Sequence, residues 1–227
     1  MAEDDEVLIV SYLGLRKTIG GVGFMLPIVL IIAGLIAGDI EPSISHFYYT
    51  SMQDYFVGSL CVVGLFLMSY RGFKPEKGEW LTDRRLGWVG GGAAILVAFF
   101  PTAPSGAKIE ITSIAHFIFA TTFLFSLGVF SFFKFTRSKS PKAEWPTDKL
   151  WRKRIYRLMG TIIFACLIVI GVTTFLIHKE VISDPKNDWM FWFESFAVWA
   201  FGISWLVKGQ AIQDMQGLRQ RIFASKA

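Results

Sequence analysis

The sequence predicts an all-α, polytopic membrane protein: six transmembrane helices in one bundle, with both termini on the cytoplasmic side. Three observations carry this expectation. Apolar residues make up 53% of the 227, not far above an ordinary soluble domain, so their distribution decides. They fall in six continuous blocks with no polar face, and each block approaches the roughly 20 residues that an α-helix needs to cross about 30 Å of hydrocarbon. Finally, of the 23 Lys and Arg residues, 20 lie in one alternate set of segments and 3 in the other, which is the positive-inside pattern.

Span one is expected over residues 21–38. The mildly amphipathic stretch 7–19 leads into it without a breaker, as an interfacial helix or an extension of the span. Pro27 lies inside this span, where it cannot donate to the residue 23 carbonyl and should kink the helix. Span two covers 55–70 and span three 86–100, both short but lengthened through the interface by flanking Trp, Tyr and small residues. Pro101 and Pro104 close span three. Span four runs over 111–133 and span five over 158–177, with Thr147-Asp148 placed to cap a cytoplasmic extension of span five. Span six covers 189–207, and Asp184-Pro185 offers it an N-cap followed by proline at the first helical position. The tail 209–227 reads as a polar helix, and residues 1–227 as a single domain. Residues 1–6 are acidic and the first apolar run comes after Arg16-Lys17, as in an uncleaved anchor.

A net charge of +5 invites a nucleic-acid reading, but the cations lie in alternate connectors with no stacking platform beside them. Anionic headgroups of the cytoplasmic leaflet account for them. Cys61 and Cys166 fall in separate spans, so no disulfide framework or thiolate metal spacing is expected.

An ionisable residue inside a span is a functional-site hypothesis by default, because burying it is costly. His46, Asp54, His116, His178 and Glu194 all map to the external side. Glu194 lies roughly 9 Å inside span six at 1.5 Å per residue. Asp54 also completes a Ser51-x-x-Asp54 capping box, and the macrodipole favours Glu194 near a helix start. One reading of this set is a zinc site of His46, His116 and His178, with Asp54 or Glu194 activating water. The other is an interfacial polar cluster that binds a headgroup, a partner or nothing.

The first external connector, 41–54, has no Lys or Arg. It sets Phe47, Tyr48 and Tyr49 beside Ser43, Ser45, Thr50 and Ser51, a composition suited to the headgroup layer. It would fold over the outer mouth of the bundle, where His46, Tyr48, Tyr49, Asp54, His116 and Glu194 would contact lipid or a small ligand. Gly87, Gly90, Gly91 and Gly92 in span three, with Gly58 and Gly64 in span two, mark close helix contacts. Phe123, Phe125, Phe130, Phe132 and Phe133 should face lipid or fill the bundle.

Pro42-x-Ile44-Ser45 after span one, a second span from Phe56 to Tyr70-Arg71 and Ala115-His116-Phe117 in span four resemble the six-span superfamily of damage-regulated autophagy modulators and the Frag and Sfk proteins. The Leu13 to Lys17 lead-in, Tyr48-Tyr49-Thr50 and Phe100-Pro101-Thr102 are similar to bacterial membrane proteins of the same layout. The resemblance implies a lipid-associated role in membrane organisation, and it assigns no catalytic residues.

The leading expectation is therefore a non-enzymatic, multi-pass protein of the cytoplasmic (inner) membrane. It would bind lipid or other membrane subunits through an external-side polar pocket, with no cofactor. A zinc-dependent membrane lipid hydrolase and a small proton-coupled transporter are the alternatives.

Overall fold

Uninterrupted helices separated by short connectors account for nearly all the regular structure. The computed structural model describes residues 2–73, 75–104, 110–138, 147–182 and 188–209. Within them lie α1 (Ala2–Ala37), α2 (Gln53–Ser69), α3 (Asp83–Phe99), α4 (Ile111–Val129), α5 (Thr147–His178) and α6 (Trp189–Lys208). A short 3₁₀ helix, Ile44–Tyr49, comes after α1, and a π turn, Phe130–Lys134, ends α4. No described residue is in a strand.

The expected blocks and the helices agree closely. The lead-in is an extension of the first helix, since α1 runs unbroken through it and through Pro27. The cytoplasmic extension of the fifth helix forms, starting at Thr147. Helix α3 stops at Phe99, just before Pro101, whose fixed φ and missing N–H disfavour continuation. The capping box at Ser51 does not form. Met52, not Ser51, is the N-cap of α2 and makes no side-chain bond, while the Thr50 hydroxyl accepts from Met52 N–H at 3.1 Å in the turn before it. The start of span six at Asp184-Pro185 and the tail beyond Gly209 lie outside the described residues.

Each helix packs against the next in chain order, and α6 returns to α1, so the six close into a ring. Glycines set the tightest crossings. A Cβ on Gly64 would lie 2.8 Å from the Gly91 carbonyl oxygen, and one on Gly87 would fall on the Leu67 carbonyl, so α2 and α3 cross antiparallel with backbones nearly touching. A Cβ on Gly20 would lie 2.7 Å from Leu206 N, and one on Gly202 2.8 Å from Phe24 N, which makes the α1–α6 seam antiparallel as well. Gly58 and Gly92, by contrast, face open space.

Among the described residues, four segments are long and apolar enough to cross a membrane: Leu13–Ala37, Ile111–Lys134, Lys149–His178 and Trp189–Lys208. Helices α2 and α3 have 17 residues each, or roughly 26 Å at 1.5 Å per residue. Leu35, Phe99, Ile118, Phe125, Ile168 and Phe175 are all exposed on the outside of the ring. An exposed apolar belt of that extent belongs in lipid rather than water. The described chain is all-helical, with four helices of the length and apolarity that a membrane span needs.

Candidate functional site

Antiparallel packing sorts the connectors to two ends. At the end away from the basic connectors, the chain turns after α1 and lays residues 43–49 across the mouth of the ring. Ser43 starts the 3₁₀ helix. Its hydroxyl oxygen accepts from His46 N–H at 3.3 Å and pairs with His46 Nδ1 at 2.7 Å. Glu194 reaches from α6 to accept from Ile44 N–H at 2.7 Å, so the carboxylate satisfies a donor at the start of a short helix, where negative charge is favoured. The same seam carries a bond from Phe191 N–H to the Pro42 carbonyl at 3.0 Å.

His116, only 2% exposed, ties α4 to this strap and to the end of α3. Its Nδ1 lies 2.7 Å from the Phe100 carbonyl oxygen and its Nε2 2.9 Å from Ser45 Oγ. A carbonyl only accepts, so Nδ1 carries the proton and Nε2 takes the serine hydroxyl proton. Both nitrogens of the neutral ring are thereby spent. Burial, with His116 nearby, pushes the His46 imidazole below its ordinary value of 6.5. Tyr49 adds a bond from its hydroxyl to the Thr102 carbonyl, and Tyr48 meets Tyr49 edge-on at 5.3 Å.

The structure thus joins His46, His116 and Glu194, with Tyr48 and Tyr49 at the rim, through one strap. It does not bring Asp54 to them. Asp54 is exposed at the start of α2 and borders a separate side groove with Tyr55 and Met25. His178 is exposed at the far end of α5. Among the described residues no three His, Cys, Asp or Glu side chains are grouped to hold a metal ion, so the zinc triad is not assembled. Around the strap, His46, His116 and Glu194 make hydrogen bonds to Ser43, Ser45, Ile44 N–H and the Phe100 carbonyl.

The opposite end holds what the sequence did not advertise. Lys134, 6% exposed at the close of the π turn, donates to Glu79 at 2.7 Å and to the Leu81 carbonyl. Arg137 grips Glu79 in a two-pronged pair at 2.6 and 3.1 Å and reaches Glu76 at 2.9 Å. These contacts hold the Glu79 carboxyl down at about 2. Buried Asp83 lies 3.7 Å from both cations and accepts from Phe73 N–H at 3.0 Å. The connector between α2 and α3 is thus clamped onto the end of α4.

Beside this clamp, Tyr70, Phe130, Phe135 and Trp205 cluster with centroids 4.9 to 5.9 Å apart, edge-to-face in every pair but the tilted Phe130–Phe135. Next to the stack opens a cavity of about 470 Å³, lined by Arg16, Arg137, Lys149, Arg152, Lys153 and Lys208. Sequence reasoning assigned these cations singly to the headgroup layer. What could have located the cavity is that Arg16, Arg152 and Lys208 each stand about a turn from an aromatic expected at the same depth. No family model, no curated protein and no solved structure matches the chain.

Proposed function

We propose that the chain is a six-span protein of the cytoplasmic membrane, with both termini and the basic end in the cytoplasm, that associates with lipid in a non-enzymatic, membrane-organising or accessory role. Membership of the lipid-associated six-span superfamily is part of that proposal. The observation that carries it is the closed ring of six helices with chemically opposite ends. One end gathers the cations and an open cavity, and the other is crossed by a strap that engages both nitrogens of His116, Nδ1 of His46 and Oε2 of Glu194 in internal bonds. Helices α2 and α3 enter this reading as short spans, whose glycine-packed pair is shielded from lipid on one side by its neighbours. A plugged external mouth disfavours a conduction path and favours a surface that lipid or a partner subunit engages from the basic side.

The test is single-cysteine labelling in a background lacking Cys61 and Cys166, using membrane-impermeant thiol reagents on intact cells. Lys179→Cys should label from outside, and Lys77→Cys only after lysis. Labelling of both from the same side would end the proposal.

A further inference from the structure

We propose that the cavity at the basic end is a binding site for a phosphate-bearing anion, taken from an anionic lipid headgroup or from a soluble phosphate ester. Its cations come from four separate places in the chain: Arg16 on α1, Arg137 after the π turn, Lys149, Arg152 and Lys153 on α5, and Lys208 at the end of α6. No described carboxylate lines it. Among the described residues, Glu76, Glu79 and Asp83 sit in the clamp with Lys134 and Arg137. Cations converging on one concave surface with apolar walls focus the field and raise the local concentration of anions.

The walls are built to keep the ammonium in place. Lys208 Nζ stands 5.1 Å from the Phe73 ring centroid, 5.2 Å from Phe135 and 5.7 Å from Tyr156. Three ring faces hold the cation by its π attraction but leave its remaining donors without an oxygen from those walls. Arg16 fixes the seam by donating to the Lys208 carbonyl at 3.5 Å and lying over Tyr70 at 5.5 Å. A tetrahedral oxyanion takes donors from several directions at once, as a flat carboxylate does not, and guanidinium binds it with two parallel bonds. A cavity of about 470 Å³ is within the range of small-ligand sites, so it admits more than one bare ion. Basic pockets between helices at the cytoplasmic surface are where phospholipid headgroups are held.

The proposal rests on the membrane reading above only for its lipid source, and it is testable in detergent whatever the topology. Native mass spectrometry of the purified full chain is run against dioleoyl phosphatidic acid, dioleoyl phosphatidylcholine and glycerol phosphate. Phosphatidic acid should bind at least about tenfold more tightly than phosphatidylcholine. Arg152→Gln and Lys208→Gln should each reduce that affinity about tenfold, the scale of a lost charge-assisted bond. Arg154→Gln is the control, because Arg154 is exposed against Trp151 at 5.8 Å and does not line the cavity. It should stay within about twofold. Glycerol phosphate that binds alone, with the same dependence on Arg152, assigns the site to soluble phosphate esters. Failure of glycerol phosphate to bind while phosphatidic acid does assigns it to lipid. Equal binding of the two lipids, or equal loss in Arg152→Gln and Arg154→Gln, overturns the site. Arg152 is half-buried, so its variant reads the cavity even if Lys208→Gln misfolds.

Discussion

At the non-basic end one imidazole ties three elements together. His116 bridges the Phe100 carbonyl and Ser45, so His116→Phe leaves a partly buried carbonyl and a buried hydroxyl without these partners. Each such orphan costs about 1–3 kcal/mol, and a chain of this size loses about 2–4 °C of Tm per kcal/mol. A fall of several degrees in detergent is expected by tryptophan fluorescence, and an unchanged Tm would show that His116 does not tie α4 to the strap. At the other end the decisive group is Glu79. Its pKa is lowered from 4.5 to about 2 by hydrogen bonds from Arg137 and Lys134. A depressed carboxyl pKa stabilises the fold above the unfolded value and loses that stabilisation as pH falls through the folded one. The clamp should therefore be intact at pH 5 and above and weaken progressively from about pH 4.5 down to about pH 2. Glu79→Gln should lower Tm at neutral pH and flatten its fall over that window, and an acid slope identical to the unmodified protein would refute the assignment. Gly72 belongs to the same clamp. Its φ is +62°, and an added Cβ would land on the Asp83 carboxylate.

At the scale of elements, much was legible. Apolar block lengths located all six helices because a hydrocarbon solvent leaves helix as the only way to satisfy each backbone group within the segment. The glycine run in α3 signalled close packing, and Gly87, Gly90 and Gly91 do meet α2 and α4. The sequence could not say which glycines are used, since Gly58 and Gly64 look alike yet only Gly64 faces a backbone. Gly64→Leu should cost about 1–3 kcal/mol by forcing α2 off α3, while Gly58→Ala stays near neutral. Comparable Tm losses in the two variants would show that the crossing is misplaced. The plug was half legible and the clamp was not. Depth along a helix put His46, His116 and Glu194 at one level, but depth says nothing about azimuth, and Asp54 and His178 point elsewhere. The π turn was invisible, because Phe130–Lys134 continues the apolar run without a breaker. It matters because one extra residue in a turn rotates the downstream chain by about 100°, and Lys134 and Phe135 then reach the clamp and the stack.

For the molecule as a whole, the α1–α6 seam joins the first and last of the described helices and fastens both ends together. At the plug, α6 supplies Glu194 to Ile44 and Phe191 to Pro42. At the cavity, Arg16 of α1 bonds the Lys208 carbonyl of α6. Between them Trp199 donates to the Phe24 carbonyl at 3.1 Å, and Gly20, Gly23 and Gly202 let the backbones approach. Packed interiors do not absorb added volume by compression, so a leucine at Gly202 must displace α1 along its whole length. Gly202→Leu is therefore expected to loosen both ends together. Ser45→Cys, buried in the plug, should gain thiol reactivity at least about tenfold, the scale of about 1.4 kcal/mol of lost protection, and phosphatidic acid should bind the cavity more weakly. Gly64→Leu lies on the α2–α3 side and shares neither the Glu194 nor the Arg16 contact. It should lower Tm to a similar degree while leaving lipid affinity within about twofold. If Gly202→Leu opened only one end, the two sites would be independent attachments to a common scaffold rather than consequences of one seam.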